Sequence, residues 1–219
     1  MAGAHEWKHY IEFITTVPID QESLAFFSVR PSAAPYLSDA STLQPIPFAT
    51  RFVKKDNSDT FFSQTINTDD TISQALALIR KDILRIDPKL GERELQSSSD
   101  PDVVLLVHLG SQLNGFQDTI HGGVLASLLD EAFSCCVESL SCCIDLKEQR
   151  AFNQRLYTAS LNITYRLPVS SPGVYIVEAR LGRRDGRKWF LDARVLGEDG
   201  VARVEAKSLW IRAKDKSVL

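Results

Sequence analysis

The feature that most constrains the fold is one long helical pattern, in the second half of the chain, set among segments that have the character of β-strands. In residues 123–140, apolar side chains recur every three or four positions, which is the period of an α-helix. A continuous apolar run at 103–107 precedes this helix, and four strand candidates follow it: 157–167, 174–182, 188–196 and 201–212. One long helix is buried only if a sheet curls around it. The order of elements therefore predicts an α+β fold in which a curved antiparallel β-sheet wraps one central helix.

Two short turn signals separate the last three strand candidates. The sequences Arg184-Asp185-Gly186-Arg187 and Glu198-Asp199-Gly200 carry the Asp and Gly residues that tight hairpin turns favour. They predict that the four strands after the helix form an antiparallel meander.

The first hundred residues are less regular than the rest. Four prolines between positions 31 and 47 mark a loop-rich stretch. The patterns around it predict helices at 5–16 and 71–86, strand-like segments around a turn at 49–66, and a polar linker at 87–102. We therefore expect an N-terminal extension of short helices, a strand pair and a linker at 1–102, and a second domain at 103–219.

Composition and charge narrow the kinds of molecule that this chain is expected to bind. The chain has 219 residues, of which 44% are hydrophobic and 24% charged, with a formal net charge of −3, as is ordinary for a folded protein. Because there is no basic excess, we expect no nucleic-acid partner. No apolar run approaches the roughly 20 residues that cross a bilayer, so we expect no membrane span.

The two ends of the sequence bear on its location. Residues 1–8 lack the basic and apolar regions of a secretory signal, and an early acidic residue disfavours an organelle signal. The last three residues, Ser217-Val218-Leu219, are only distantly similar to a peroxisomal signal. We expect a cytoplasmic protein and leave mitochondrial and peroxisomal locations open.

The four cysteines form two adjacent pairs, Cys135-Cys136 and Cys142-Cys143. This arrangement does not match the usual spacing of zinc ligands. We therefore expect buried thiols and no metal site.

The predicted helix has two contrasting faces when it is projected at about 100° per residue. One face collects the apolar core stripe: Leu125, Leu128, Leu129, Ala132, Cys136 and Leu140. The opposite face collects Gly123, Ala126, Ser127, Asp130 and Ser134. These residues are small except Asp130, so another backbone can approach closely, and a carboxylate in the middle of such a face predicts a reactive group. Glu131 lies at the boundary between the faces and is interpreted as a salt-bridge or supporting residue.

The sequence His121-Gly122-Gly123 stands where a loop enters this helix. Glycine permits a ligand to approach the backbone, and the free N–H groups of a helix's first turn suit a carbonyl oxygen that develops negative charge. Gly123 and Asp130 are about 10 Å apart along the axis, so one carboxylate does not easily serve the oxyanion site of its own helix. Two antiparallel helices, each presenting Asp130 to its partner, predict a two-fold dimer with two shared sites.

Three motifs carry a resemblance to a known family. The sequence of residues 120–131, IHGGVLASLLDE, resembles the H-G-G-x6-D signature of hotdog-fold acyl-CoA thioesterases, in the group of the bacterial phenylacetyl-CoA thioesterase and the human thioesterase superfamily members. The sequence of residues 158–169, TASLNITYRLPV, is similar to that group's T-A-x-L-N-x-x-Y-x-x-P strand, and residues 186–190, GRKWF, look like its G-R-K hairpin. The similarity covers about residues 103–212.

The resemblance implies a hotdog fold and hydrolysis of an acyl thioester. Asp130 falls on the family's catalytic carboxylate. Gly122 and Gly123 fall on the backbone positions that polarise the thioester carbonyl, and His121 shapes that loop. Thr158 falls on a position that helps to orient the attacking water or the intermediate.

Further residues are expected to contact the substrate, some from the resemblance and some from their position in the sequence. Asn114 lies near a position where some members place Asn or Gln, with Gln117 as its rival, and Glu131 is grouped with them. Four basic side chains at the last hairpin are candidates for the phosphates of CoA: Arg183, Arg184, Arg187 and Lys188. The segment from Ser139 to Arg155 is longer than the family pattern and is expected to prolong the helix or to form a cap.

Several alternatives stay open at this stage. Asp130 acts either as a general base for water or as a nucleophile that forms a mixed anhydride. The acyl group is carried by CoA or by a carrier protein, and the chain associates as a dimer or a tetramer. No cofactor is expected apart from CoA as part of the substrate. Other interpretations are a hotdog protein that releases or dehydrates a carrier-bound polyketide or fatty acyl chain, and a non-catalytic dimer that binds acyl groups or lipids.

Overall fold

The structure is a computed structural model, and it describes residues 10–84, 100–147 and 155–213. Within these ranges the α-helices are α1 (Tyr10–Thr16), α2 (Gln21–Ser28), α3 (Ala34–Leu37), α4 (Lys81–Leu84) and α5 (Gly122–Lys147). The strands are β1 (Leu43–Ile46), β2 (Ile72–Arg80), β3 (Val103–Leu109), β4 (Asn114–Phe116), β5 (Thr119–Ile120), β6 (Leu156–Tyr165), β7 (Gly173–Asp185), β8 (Lys188–Leu196) and β9 (Ala202–Arg212).

Helix α5 confirms the predicted central helix. Every residue of the predicted core stripe is at most 2% exposed. The helix continues to Lys147, so the first part of the segment that begins at Ser139 prolongs the helix, which was one of its two expected roles.

Seven strands form one antiparallel sheet in the order β1-β2-β3-β7-β8-β9-β6. The sheet curves around α5, which contacts β3, β6, β7, β8 and β9. Side chains of the inner face, including Val177, Ala179 and Trp189, lie in one core cluster with the apolar stripe of α5. The α+β hotdog fold, a curved antiparallel sheet around one central helix with an N-terminal helical region, is therefore confirmed.

The prediction of a four-stranded meander after the helix is wrong in one pairing. Strands β7, β8 and β9 follow one another across the sheet, but β6 pairs with β9 and lies at the edge. The other edge of β7 is occupied by β3, from Val103 opposite Ala179 to Leu109 opposite Gly173. Turn signals report hairpins between consecutive strands, whereas this pairing is set by contacts distant in sequence.

The helix predicted at 71–86 is wrong. Residues 72–80 form strand β2, and only Lys81–Leu84 are helical. From Ala75 to Ile79 the side chains are buried on both faces of the sheet, with Ala77 in the main core and Leu78 in a second apolar cluster. A strand covered on both faces has a continuous apolar run, and such a run also contains the spacing of a helix.

The strand-like segments predicted at 49–66 are also wrong. This stretch contains a short 3₁₀ turn at Ala49–Arg51 and a single wide helical turn at Phe61–Thr65. Phe62 and Ile66 are buried and lie four residues apart, so one side of a turn, rather than alternate residues of a strand, faces the core. The chain does turn at 56–59, where Asn57 and Asp59 have positive φ angles of 59° and 57°.

The extension builds onto the same sheet. Strands β1 and β2 add to the free edge of β3. Helices α2 and α3 lie over the outer face near β2, β3 and β7, where Phe27 joins the second apolar cluster. Helix α1 packs against α5. The predicted first helix is confirmed over Tyr10–Thr16, while its start and most of the linker predicted at 87–102 lie outside the described residues.

All four cysteines are buried, and no disulfide joins them. Among the described residues, no group of three or more His, Cys, Asp or Glu side chains is arranged to hold a metal ion. None of the helices in the described ranges is long and apolar enough to cross a membrane.

Candidate active site

The structure brings Asp130 and Thr158 into direct contact. The Thr158 hydroxyl donates a hydrogen bond of 2.9 Å to Asp130 Oδ1. A β-bulge in β6 between Thr158 and Ser160 interrupts the regular register with β9 at this point. Bulges re-aim side chains. The bulge therefore places Thr158 beside α5 although the strand continues past it.

Asp130 lies on a face of α5 that the rest of the described chain does not fully cover. The residues that share this face remain partly or fully exposed: Gly123, Ala126, Ser127 and Ser134. Partial burial raises the pKa of Asp130 above its usual value, and the Thr158 hydrogen bond opposes that rise. A carboxylate with a raised pKa is a stronger base than an exposed one.

The start of α5 offers one free backbone donor. Gly123 N–H donates to the Nδ1 atom of His121 at 2.8 Å, so the His121 ring caps the helix. Gly122 N–H has no acceptor among the described residues. Of the two N–H groups proposed from the sequence, only that of Gly122 is available here, and His121 takes part by occupying the other.

Tyr165 is a neighbour of this helix start whose contact the sequence analysis did not identify. Its hydroxyl donates a 2.8 Å hydrogen bond to the Gly122 carbonyl. A Cβ atom on residue 122 would lie 3.2 Å from the Tyr165 ring, a tight contact that glycine avoids. The signal was present in the alternation of β6, where Leu161, Ile163 and Tyr165 all point to the helix side of the sheet.

Asn114 and Gln117 lie in the β4–β5 hairpin that leads into His121. The Asn114 side chain accepts a very short hydrogen bond from the Ser171 hydroxyl, and Gln117 is exposed at the hairpin turn. Neither side chain has a hydrogen bond to His121, Asp130 or Thr158 within the described structure. The structure thus places Asn114 and Gln117 beside the loop that carries His121, and not against the Asp130 carboxylate.

The basic hairpin lies at the same end of the sheet as Thr158. Thr158 is opposite Trp210, Trp210 is opposite Trp189, and Trp189 is opposite Arg184. At about 4.8 Å between strands, Arg184 is about 14 Å from Thr158 across the sheet. Arg184 stands over the Trp189 ring at 5.2 Å.

The side chains of the other hairpin cations differ in the contacts that hold them. Arg183 stacks over the Phe190 ring at 4.1 Å, and Arg187 donates to the Arg212 carbonyl at 2.8 Å. Lys188 is exposed. The hairpin therefore presents a group of cations to solvent on a stiffened turn.

Glu131 faces a different part of the molecule from Asp130. Its neighbours are Thr50, Lys54 and Asp59, which belong to the N-terminal extension. Burial, together with the negative charges of Asp59 and Asp130, raises the pKa of Glu131 to about 8, and Lys54 opposes that rise. These extension residues were not predicted, because the pattern at 49–66 was interpreted as strands.

Comparison with known proteins is consistent with this geometry. Residues 117–203 match the model of the thioesterase superfamily. The acyl-coenzyme A thioesterase THEM4 of Rattus norvegicus is 26% identical over 118 residues, which cover 53% of this chain and 45% of the relative. THEM4 of Mus musculus is 28% identical over 110 residues, covering 50% and 42% of the two chains. The chain therefore matches less than half the length of these curated relatives.

Among solved structures, the PaaI protein of E. coli, from the phenylacetic acid degradation operon, is 15% identical with a TM-score of 0.44, covering 51% of this chain and 72% of that chain. The matched family segment contains both the helix that bears Asp130 and the strand that bears Thr158. The similarity to the thioesterase superfamily therefore lies in residues 117–203.

Proposed function

We propose that this protein is a thioester hydrolase that cleaves an acyl-CoA to a free acid and the CoA thiol. The observation that carries the proposal is the Asp130 carboxylate, held by Thr158 on an otherwise small-residue face of α5. The superfamily match supports this reaction class, and the curated relatives named acyl-coenzyme A thioesterases support CoA as the carrier. No cofactor is required, since CoA enters as part of the substrate.

Thioester hydrolysis needs a general base or a nucleophile, and a hydrogen-bond donor that stabilises the oxyanion. In one route Asp130 accepts a proton from water as the water oxygen attacks the thioester carbon; the C–S bond then breaks and the thiolate is protonated. In the other route Asp130 attacks the carbon directly, expels the thiolate and forms a mixed anhydride that water hydrolyses. In both, Gly122 N–H stabilises the carbonyl oxygen as it becomes negative, and Thr158 holds the carboxylate.

The site is proposed to be completed by a second copy of the chain. Gly122 and Asp130 are eight residues apart, about 12 Å along the helix axis, so they do not converge on one carbonyl carbon within one copy. Strand β6 has a free edge in the sheet, and its Tyr157 and Tyr165 are 57% and 52% exposed. Pairing two copies through β6 and the small face of α5 brings each Asp130 toward the partner's helix start. A tetramer made of two such dimers would contain the same sites.

The hairpin cations are proposed to bind the phosphates of CoA. They project from the sheet end that carries Thr158, about 14 Å away across the strands. An extended pantetheine arm is long enough to span such a distance. Asn114 and Gln117, beside the His121 loop, are proposed to contact the thioester end of the same substrate, and Glu131 to stand beside the acyl group.

The experiment is an assay of free thiol release from a panel of acyl-CoA and acyl-carrier substrates, with the wild type and Asp130→Asn. We expect hydrolysis of acyl-CoA by the wild type and its loss in the variant, whose melting temperature should be retained. A strong preference for acylated carrier protein would replace CoA as the substrate. Absence of hydrolysis on every substrate would contradict the proposal and favour a binding protein or a dehydratase.

A further inference from the structure

The outer face of the curved sheet carries two rows of charged side chains. Their neighbours along the strands, such as Val177 and Ala193, lie in the main core, so the charged side chains point away from α5. The first row crosses β7, β8 and β9 as Glu178, Arg194 and Glu205. The second row crosses the same strands as Arg180, Asp192 and Lys207. Glu178 and Asp192 are partly buried, and the other four residues are exposed.

The signs of the charges alternate in both directions. The first row is negative, positive, negative, and the second row is positive, negative, positive. On each strand the two rows are two residues apart, or about 6.6 Å. Because the rows together have no net charge, they do not suit a nucleic acid or an anionic membrane, which bind to an excess of positive charge. They suit a partner surface with the same alternation.

Contacts within one copy of the chain use only part of this pattern. In the first row, Arg194 donates to Glu178 at 2.5 Å, and Glu205 pairs with Arg166 at 2.8 Å. Within the described ranges, the three residues of the second row form no ion pair with one another. An open depression of about 630 Å³ is lined by both rows. It leaves room for the long side chains of a facing surface.

We propose that the two rows are an interface for a second copy of this chain, packed outer face to outer face. A two-fold axis that lies between the rows and runs across the strands places the first row of each copy over the second row of the other. Every charge then meets its opposite: Glu178 faces the partner's Arg180, Arg194 faces the partner's Asp192, and Glu205 faces the partner's Lys207. Where the β6 dimer also forms, this second interface joins two dimers into a tetramer.

The charge pattern selects this orientation. An axis running along the strands would place each row over itself in reverse, so that Glu178 meets Glu205 and Arg194 meets Arg194, which are like charges. Sheets packed face to face are rotated by about 30°, which shifts facing residues one strand from the centre by only about 2.5 Å. This shift is less than half the distance between the rows, so each charge keeps its opposite partner.

An interface of this kind should be reversible and sensitive to salt, because most of its charges are exposed. The test is the solution mass, measured by sedimentation equilibrium over a range of protein concentrations at low and high salt. We expect the mass of the wild type at low salt to be twice its mass at high salt.

Charge reversals on β9 test the pairing. Lys207→Glu puts a carboxylate opposite Glu205 of the partner subunit at two symmetric positions, and Glu205→Lys puts two ammonium groups together. Each variant should weaken association through this face by at least about a hundredfold, since facing like charges oppose binding. The mass at low salt should then be half that of the wild type, with the melting temperature retained, because both residues are exposed.

Two rescues restore opposite charges across the axis. The double variant Glu205→Lys/Lys207→Glu has the net charge of the wild type, and its association should return. An equimolar mixture of the two single variants should also associate, because residue 205 of each copy then faces an opposite charge at residue 207 of the other. Glu12→Lys is the matched control. It reverses an exposed charge on α1, which packs against α5 inside the sheet, and should keep the wild-type mass.

Two results would overturn the proposal. One is a wild-type mass in both single variants, or a wild-type mass that does not respond to salt. The other is loss of association that neither the double variant nor the mixture restores. Thiol release by the same variants keeps this inference apart from the proposed function, since none of the four charged positions on β8 and β9 belongs to the Asp130 site. If the wild type associates as expected but hydrolyses no thioester, only the proposed function fails.

Discussion

Asp130 and Glu131 are consecutive in the chain, yet α5 turns them toward different neighbours. Asp130 meets a hydroxyl donor from β6 and remains partly open to solvent. Glu131 is more deeply buried and faces Thr50, Lys54 and Asp59 of the N-terminal extension. The difference shows how two consecutive carboxyl groups of one helix come to have different surroundings, because burial and neighbouring charge, rather than residue type, set each pKa.

Helix α5 has one side that faces β6 and one that faces the N-terminal extension. Loss of a single hydroxyl should reduce activity more on the side that faces β6. Thr158→Val removes the donor to Asp130 at nearly constant volume. Because a hydrogen bond to a charged group contributes about 1.5–3 kcal/mol, we expect kcat to fall by about tenfold to a hundredfold in a thiol-release assay. The control is Thr164→Val on the outer face of the same strand, which should be neutral. Equal losses in both variants would mean that β6 acts only as scaffold.

The same variant has a second readout on the acid side of the profile. The Thr158 hydrogen bond lowers the pKa of Asp130, so its loss should move the rising limb of kcat/KM to higher pH. If the rising limb of kcat/KM stays at the same pH, Thr158 does not influence the pKa of Asp130.

The hairpin cations should affect binding rather than the chemical step. Replacing Arg183 and Lys188 together by Gln should raise KM for acyl-CoA by about threefold to tenfold, with kcat unchanged, because exposed charge contacts are weak. The increase should shrink as salt is added. Arg166→Gln is the control, since that guanidinium pairs with Glu205 at 2.8 Å on the outer face. A rise in KM for the control alone would place the CoA phosphates at Arg166 instead of at the hairpin.

A smaller effect than at Thr158 is expected at the helix start. Tyr165→Phe removes the hydroxyl that donates to the Gly122 carbonyl but keeps the ring. A neutral hydrogen bond contributes about 1 kcal/mol, so kcat/KM should fall by about fivefold. Tyr157→Phe on the same strand is the matched control and should change little. A loss larger than that of Thr158→Val would make the Gly122 loop, rather than the carboxylate, the sensitive part of the site.

The parts of the fold that were predictable are those whose signal is local. The two faces of α5, strands β3 and β8, and the hairpin turns with Gly186 and Gly200 at positive φ all follow from short-range patterns. The assignment of β2 failed because burial on both faces removes the alternation that marks a strand. The pairing of β6 with β9 failed because it depends on which strand edges remain free.

The candidate site likewise contains residues that were predictable from local sequence and contacts that were not. Asp130 was identifiable as a carboxylate among small residues on one helix face, and Thr158 only through the resemblance of its strand. The contact between them depends on a bulge and on the curvature of the sheet, neither of which has a sequence signal of its own. Lys54 and Asp59 were missed because their segment has no regular period, and they come near Glu131 only where the extension meets α5.

The central claim is that the Asp130 carboxylate carries out thioester cleavage. The most direct measurement is kcat/KM for release of free thiol from an acyl-CoA by the wild type and by Asp130→Asn, with melting temperature and solution mass compared in parallel. We expect kcat/KM to fall by at least about a hundredfold, with fold and assembly unchanged. A variant that remains folded and hydrolyses acyl-CoA at the wild-type rate would contradict it.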